Sequence, residues 1–141
     1  MEIKNIKGSL KYDNHKIQVA DCKIRKQIDD YEKYYDGMFW NNIYYDDFDY
    51  AELCSNLLTK AICMDRKFCT IAEYYKLDYD DFDYEIMLLD MLFNKYHDED
   101  ESSCGEKYYI LHLSLLDLLL DLEDRERELN LKELEAKLLM G

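Results

Sequence analysis

The residue pattern predicts an α+β fold: a β-hairpin over residues 1–24, then a mostly helical body of four to six helices over residues 25–141, all in a single domain. Three observations lead there. Apolar residues alternate with polar ones along the first twenty positions, with a turn signal between them. Downstream, apolar residues recur at intervals of three and four. Proline is absent from all 141 residues, so nothing interrupts a helix from within.

In the first stretch, Ile6, Leu10 and Tyr12 fall on one side of an expected strand, and Ile17 and Val19 on one side of a second. Asp13 and Asn14 tolerate the left-handed backbone of a tight hairpin between them. With Asp21 as N-cap, Ile24, Ile28, Tyr31 and Tyr35 then mark a helix that Gly37 stops. Met38–Tyr45 fits either a strand or an aromatic loop. Asp49 and Glu52 have capping-box spacing ahead of a stripe of Leu53, Leu57, Leu58, Ala61 and Ile62. Thr70 and Glu73 make a second box, which predicts a short separate helix through Leu77. Ile86 to Tyr96 is apolar nearly all round, as in a buried helix. Ser103 and Glu106 make a third box before the Leu-rich run from Ile110 to Leu122. Leu129, Leu134 and Leu138 continue a stripe after an expected break at Asn130. Leu111, Leu115, Leu118 and Leu122 read as core, and Leu129–Leu139 as the seam of a homodimer, should one form.

The charge narrows the range of partners. Asp and Glu number 32 against 18 Lys and Arg, a formal net charge of −14. Residues 1–28 carry seven bases and three acids, whereas residues 41–101 carry five bases and 16 acids, so the acid is concentrated in the middle. Such a chain repels nucleic acid and anionic membranes and suits a basic protein partner. No run reaches the roughly 20 apolar residues of a membrane span. The charged start "MEIKNIKGSLKY" has no apolar export core, and five Cys, an odd number, fit reduced thiols in the cytoplasm.

The acid is organised. "YDDFDY" occurs at residues 45–50 and again, unchanged, at 79–84. Each copy precedes a helical run, where Asp can satisfy free backbone N–H groups and aromatic residues can pack as staples. One cap per helix suffices; Asp49 and Asp83 are the expected caps. Because the repeats supply more Asp than capping uses, the whole set, Asp46, Asp47, Asp49, Asp80, Asp81 and Asp83 with Tyr45, Tyr50, Tyr79 and Tyr84, is the candidate partner-binding site. Residues two apart in extended backbone stand ~6.6 Å apart on one face, on the order of a phosphate repeat. Tyr faces beside them suit Arg guanidinium groups.

Other chemistries fit poorly. The acidic stretches starting at Asp78 and Asp98 lack the Gly and Glu that a helix–loop–helix calcium site requires. No C-x-x-C occurs and the three His are scattered, so no metal and no cofactor is expected. Cys104 and His112 lie close in sequence, but Cys–His pairs arise by chance in short chains and nucleophilic catalysis needs an orienting group besides, so no enzyme is expected. Four glycines build no phosphate-cradling loop. "TIAEYYKLDYDDFDYEIMLL" resembles the first half of the helix-turn-helix family, but its second helix would begin with Asp80, Asp81, Asp83 and Glu85, which phosphate repels.

In size, charge and Tyr/Asp richness the chain resembles the small acidic inhibitors that phages encode against bacterial defence nucleases, the anti-CRISPR and anti-restriction DNA mimics. That resemblance implies a stoichiometric, non-catalytic inhibitor in the host-cell cytoplasm that occupies the basic nucleic-acid-binding groove of a nuclease. Two other readings stay open: an immunity or antitoxin-like protein neutralising a basic toxin, and a viral helical protein that binds through a hydrophobic groove.

Overall fold

The computed structural model describes residues 3–35, 50–98 and 106–140, with side chains for 8–30, 50–95 and 114–139. These residues form four helices, α1 (Ile3–Tyr35), α2 (Tyr50–Tyr75), α3 (Asp83–Asp98) and α4 (Glu106–Met140). Among them there is no strand, so the expected hairpin over residues 1–24 and the α+β class are both wrong: the described residues build an all-α architecture.

The correction has a physical cause. Leu10, Asp13, Ile17, Ala20, Ile24 and Ile28 recur at intervals of three and four, and they form the inward face of one 33-residue helix. The period-two alternation of Tyr12 and Val19 was coincidental, since both side chains are exposed. The member that disguised the stripe is Asp13. It is 1% exposed and accepts hydrogen bonds from Arg66 Nε and Nη2 on α2, at 3.2 and 3.1 Å. A carboxylate can be buried at a stripe position when a guanidinium meets it there.

α2 is the central helix and packs against the other three. Leu53, Leu57, Met64 and Phe68 are almost wholly buried along it. The short helix expected from Thr70 to Leu77 does not exist, because Thr70 lies within α2 and its hydroxyl donates to the Arg66 carbonyl at 2.9 Å. A capping box requires the chain to leave helical geometry, and here it does not. α2 ends where Lys76 adopts φ 57° and the Leu77 N–H reaches back to the Ala72 carbonyl at 2.8 Å, a Schellman closure. α4 likewise runs straight through the break expected at Asn130. Its Leu115, Leu118 and Leu122 enter the core as expected, joined by Leu89 and Leu92 of α3. Gly37, Met38–Tyr45, Asp49 and Ser103 lie outside the described residues.

A candidate partner-binding surface around the second acidic hexapeptide

The link from α2 to α3, residues 76–82, carries most of the second "YDDFDY", and the structure sorts its six residues into two layers. The inner layer is aromatic. Phe82 is completely buried, and Tyr79 is half-buried beside it with ring centroids 6.4 Å apart. Asp65 of α2 organises both: its Oδ1 accepts the Tyr79 hydroxyl at 2.7 Å and the Phe82 N–H at 3.1 Å. Burial, and then this bond to a carboxylate, push the Tyr79 phenol well above its usual range.

Arg125 of α4 holds the loop from the other side. Its guanidinium lies 3.7 Å from the Phe82 ring centroid. It donates to the Asp81 carbonyl at 3.1 Å, to the Asp80 carbonyl, and to Glu85 Oε2 at 3.0 Å. The planar fork makes this combination available to Arg alone. The loop is therefore anchored through backbone carbonyls, one N–H and two aromatic rings.

The outer layer is carboxylate. Asp80, Asp81 and Asp83 are exposed, as is Tyr84. Asp81 has a local task, accepting the Asp83 N–H at 3.1 Å in an Asx turn. This revises the expected cap: Phe82, not Asp83, holds the cap position, its carbonyl accepting the Ile86 N–H at 2.8 Å. Of the first copy, Tyr45, Asp46, Asp47 and Asp49 lie outside the described residues, and Tyr50 is buried at the start of α2. Tyr79 and Tyr50 thus turn inward, whereas Tyr84 remains an outward candidate.

Two residues central to this arrangement, Asp65 and Arg125, were not singled out in the sequence. A signal for Arg125 exists: it follows Leu115, Leu118 and Leu122 at the next position of the same stripe, so its charge had to meet a partner.

Beside the loop, α3 and α4 leave an open groove of ≈ 540 Å³ lined by Tyr84, Leu88, Met91, Leu92, Asp117 and Asp121, among others. Burial, reinforced by the neighbouring Glu85, raises the Asp121 carboxyl above its ordinary value. A second buried polar cluster ties α1, α2 and α4 together: Lys60 Nζ lies 2.7 Å from Asp21 Oδ1 and 3.0 Å from Glu126 Oε2. Although burial opposes its charge, the bond to Asp21 and the field of Glu126 leave the Lys60 ammonium above its usual range.

Among the described residues there is no cluster of three or more His, Cys, Asp or Glu arranged to hold a metal, and no helix long and apolar enough to cross a membrane. The described Cys22, Cys54, Cys63 and Cys69 are free thiols. Comparison with protein families, curated proteins and solved structures finds no match for this chain.

Proposed function

We propose that this protein is a non-catalytic inhibitor that binds, one to one, the basic nucleic-acid-binding groove of a defence nuclease, a CRISPR effector or a restriction enzyme, by presenting carboxylates in place of phosphates. One observation carries the reading: the second hexapeptide is fixed by its backbone and its inner aromatic residues, which leaves the Asp80, Asp81 and Asp83 side chains on the outside of a braced loop. A carboxylate display on a fixed base binds with less ordering cost than one on a free loop. The identical hexapeptide at residues 45–50 offers the same residues a second time.

The test is inhibition of DNA cleavage by purified CRISPR effectors and restriction enzymes, with target DNA added as competitor. Inhibition at equimolar protein, relieved by excess DNA and by salt, is the expected result. Changing Asp80 and Asp83 to Asn should weaken inhibition about tenfold or more while leaving thermal stability within ~0.5 kcal/mol, because exposed charges act mainly on association. Full potency in that variant, or no inhibition of any nuclease tested, overturns the reading. The apolar lining of the α3–α4 groove favours the hydrophobic-groove alternative, for which binding would persist in high salt.

A further inference from the structure

α4 has a second apolar face, directed away from the core. Leu120, Leu131, Leu134 and Leu138 are 48%, 60%, 54% and 73% exposed. With Asp124 and Arg127 between them, they recur at alternating intervals of four and three from residue 120 to 138, the repeat of a coiled-coil seam. The core-facing Leu115, Leu122, Leu129 and Ala136 occupy the opposite side of the same helix. The seam extends roughly 28 Å along the helix at 1.5 Å per residue.

We propose that this face binds a second copy of the same chain in an antiparallel arrangement, with the two-fold axis passing between residues 125 and 126. The charge pattern selects both the occupant and its direction. Asp124 and Arg127 form an ion pair within the helix at the centre of the seam, and both are exposed. In the antiparallel register, Asp124 meets Arg127 of the partner subunit, and the reverse, so the two pairs stack as alternating charges. Leu120 meets Leu131 of the partner subunit, and the reverse. Leu134 falls opposite Asp117 at the edge of the seam, where a carboxylate reaches water.

A parallel dimer would set Asp124 against Asp124 and Arg127 against Arg127, an arrangement that charged seam positions are known to exclude. Beyond the seam the charges are even-handed: residues 127–134, which would cover the acidic stretch 117–124, carry Arg127 and Lys132 beside Glu128 and Glu133, so the direction rests on the central Asp124 and Arg127. A closed two-fold pair uses the same patch on each copy, as self-complementary surfaces do.

The test uses the full chain. Sedimentation equilibrium should give twice the 17.1 kDa chain mass at micromolar concentration. Leu131→Glu with Leu134→Glu should raise the dissociation constant about a hundredfold or more with helical circular dichroism unchanged. Direction is read by disulfides, in a background with Cys22, Cys69 and Cys104 changed to Ser. Mixing Leu120→Cys chains with Leu131→Cys chains should give a cross-linked heterodimer, and neither chain alone should cross-link. A chain that stays monomeric at about 100 µM overturns the proposal, as does Leu120→Cys cross-linking to itself. Neither result bears on nuclease inhibition, which reads a different surface.

Discussion

Lys60 and Arg125 are both cations held between helices, yet they hold the molecule in different ways. Lys60 is a point charge, 7% exposed, meeting two carboxylates on two other helices. Arg125, 16% exposed, spends its donors on two backbone carbonyls and a single carboxylate, and stacks on a ring. The first cluster joins helices to one another. The second fixes a loop and, because it grips carbonyls, leaves the loop's own carboxylates outside. The contrast teaches that the acid of the second hexapeptide is not consumed by the nearest available cation.

The largest expected effect breaks the Lys60 cluster. Lys60→Ala strands two partly buried carboxylates and should cost about 2–4 kcal/mol in urea denaturation at neutral pH. Combining Lys60→Met with Asp21→Asn and Glu126→Gln should recover most of that loss, since no charge is then left unpaired. Because the folded-state pKa of Lys60 is raised, its contribution is complete below its unfolded value of 10.5 and declines as pH rises through the folded value.

Arg125→Lys sharpens the other half of the comparison. The charge opposite Glu85 survives, but the fork and the stacking do not, so stability should fall by about 1–3 kcal/mol. Hydrogen exchange should show the Phe82 and Asp83 amides losing protection before the core of α2 does. Equal loss across all helices would mean that Arg125 supports the bundle as a whole and not the loop.

The smallest effect concerns Asp121, whose raised folded pKa means that its ionised form is disfavoured in the native state. Asp121→Asn should stabilise the protein at pH 7 by up to ~1 kcal/mol. The gain should shrink as pH falls from the raised folded value and vanish below the ordinary 3.8, where the native carboxyl is already protonated. Paired urea titrations at pH 7 and pH 3.5 check the sign.

How much of this was legible beforehand depends on range. The α2 stripe of Leu53, Leu57 and Ala61, the α4 stripe of Leu115, Leu118 and Leu122, and a helix following the second hexapeptide all follow from local periodicity, and the structure contains them. Local signals also misled. Asp13 looked like a turn residue because its partner Arg66 is 53 positions away, and Thr70 looked like a cap although its hydroxyl bonds within the helix. Asp81, Phe82 and Asp83 stand side by side in the chain, and only their surroundings make one an Asx turn, one a buried anchor and one an exposed charge.

By itself the sequence determined the net charge, its concentration in the middle of the chain, the exact repeat and the uninterrupted potential for helix, since these are sums and short-range patterns. Tertiary structure alone decided which cations are buried and which carboxylates face water. Burying a charge is tolerable only when a specific partner waits at hydrogen-bond distance, and for Asp13, Lys60 and Arg125 that partner lies on another helix, 40 or more positions away for Asp13 and for Glu85 opposite Arg125.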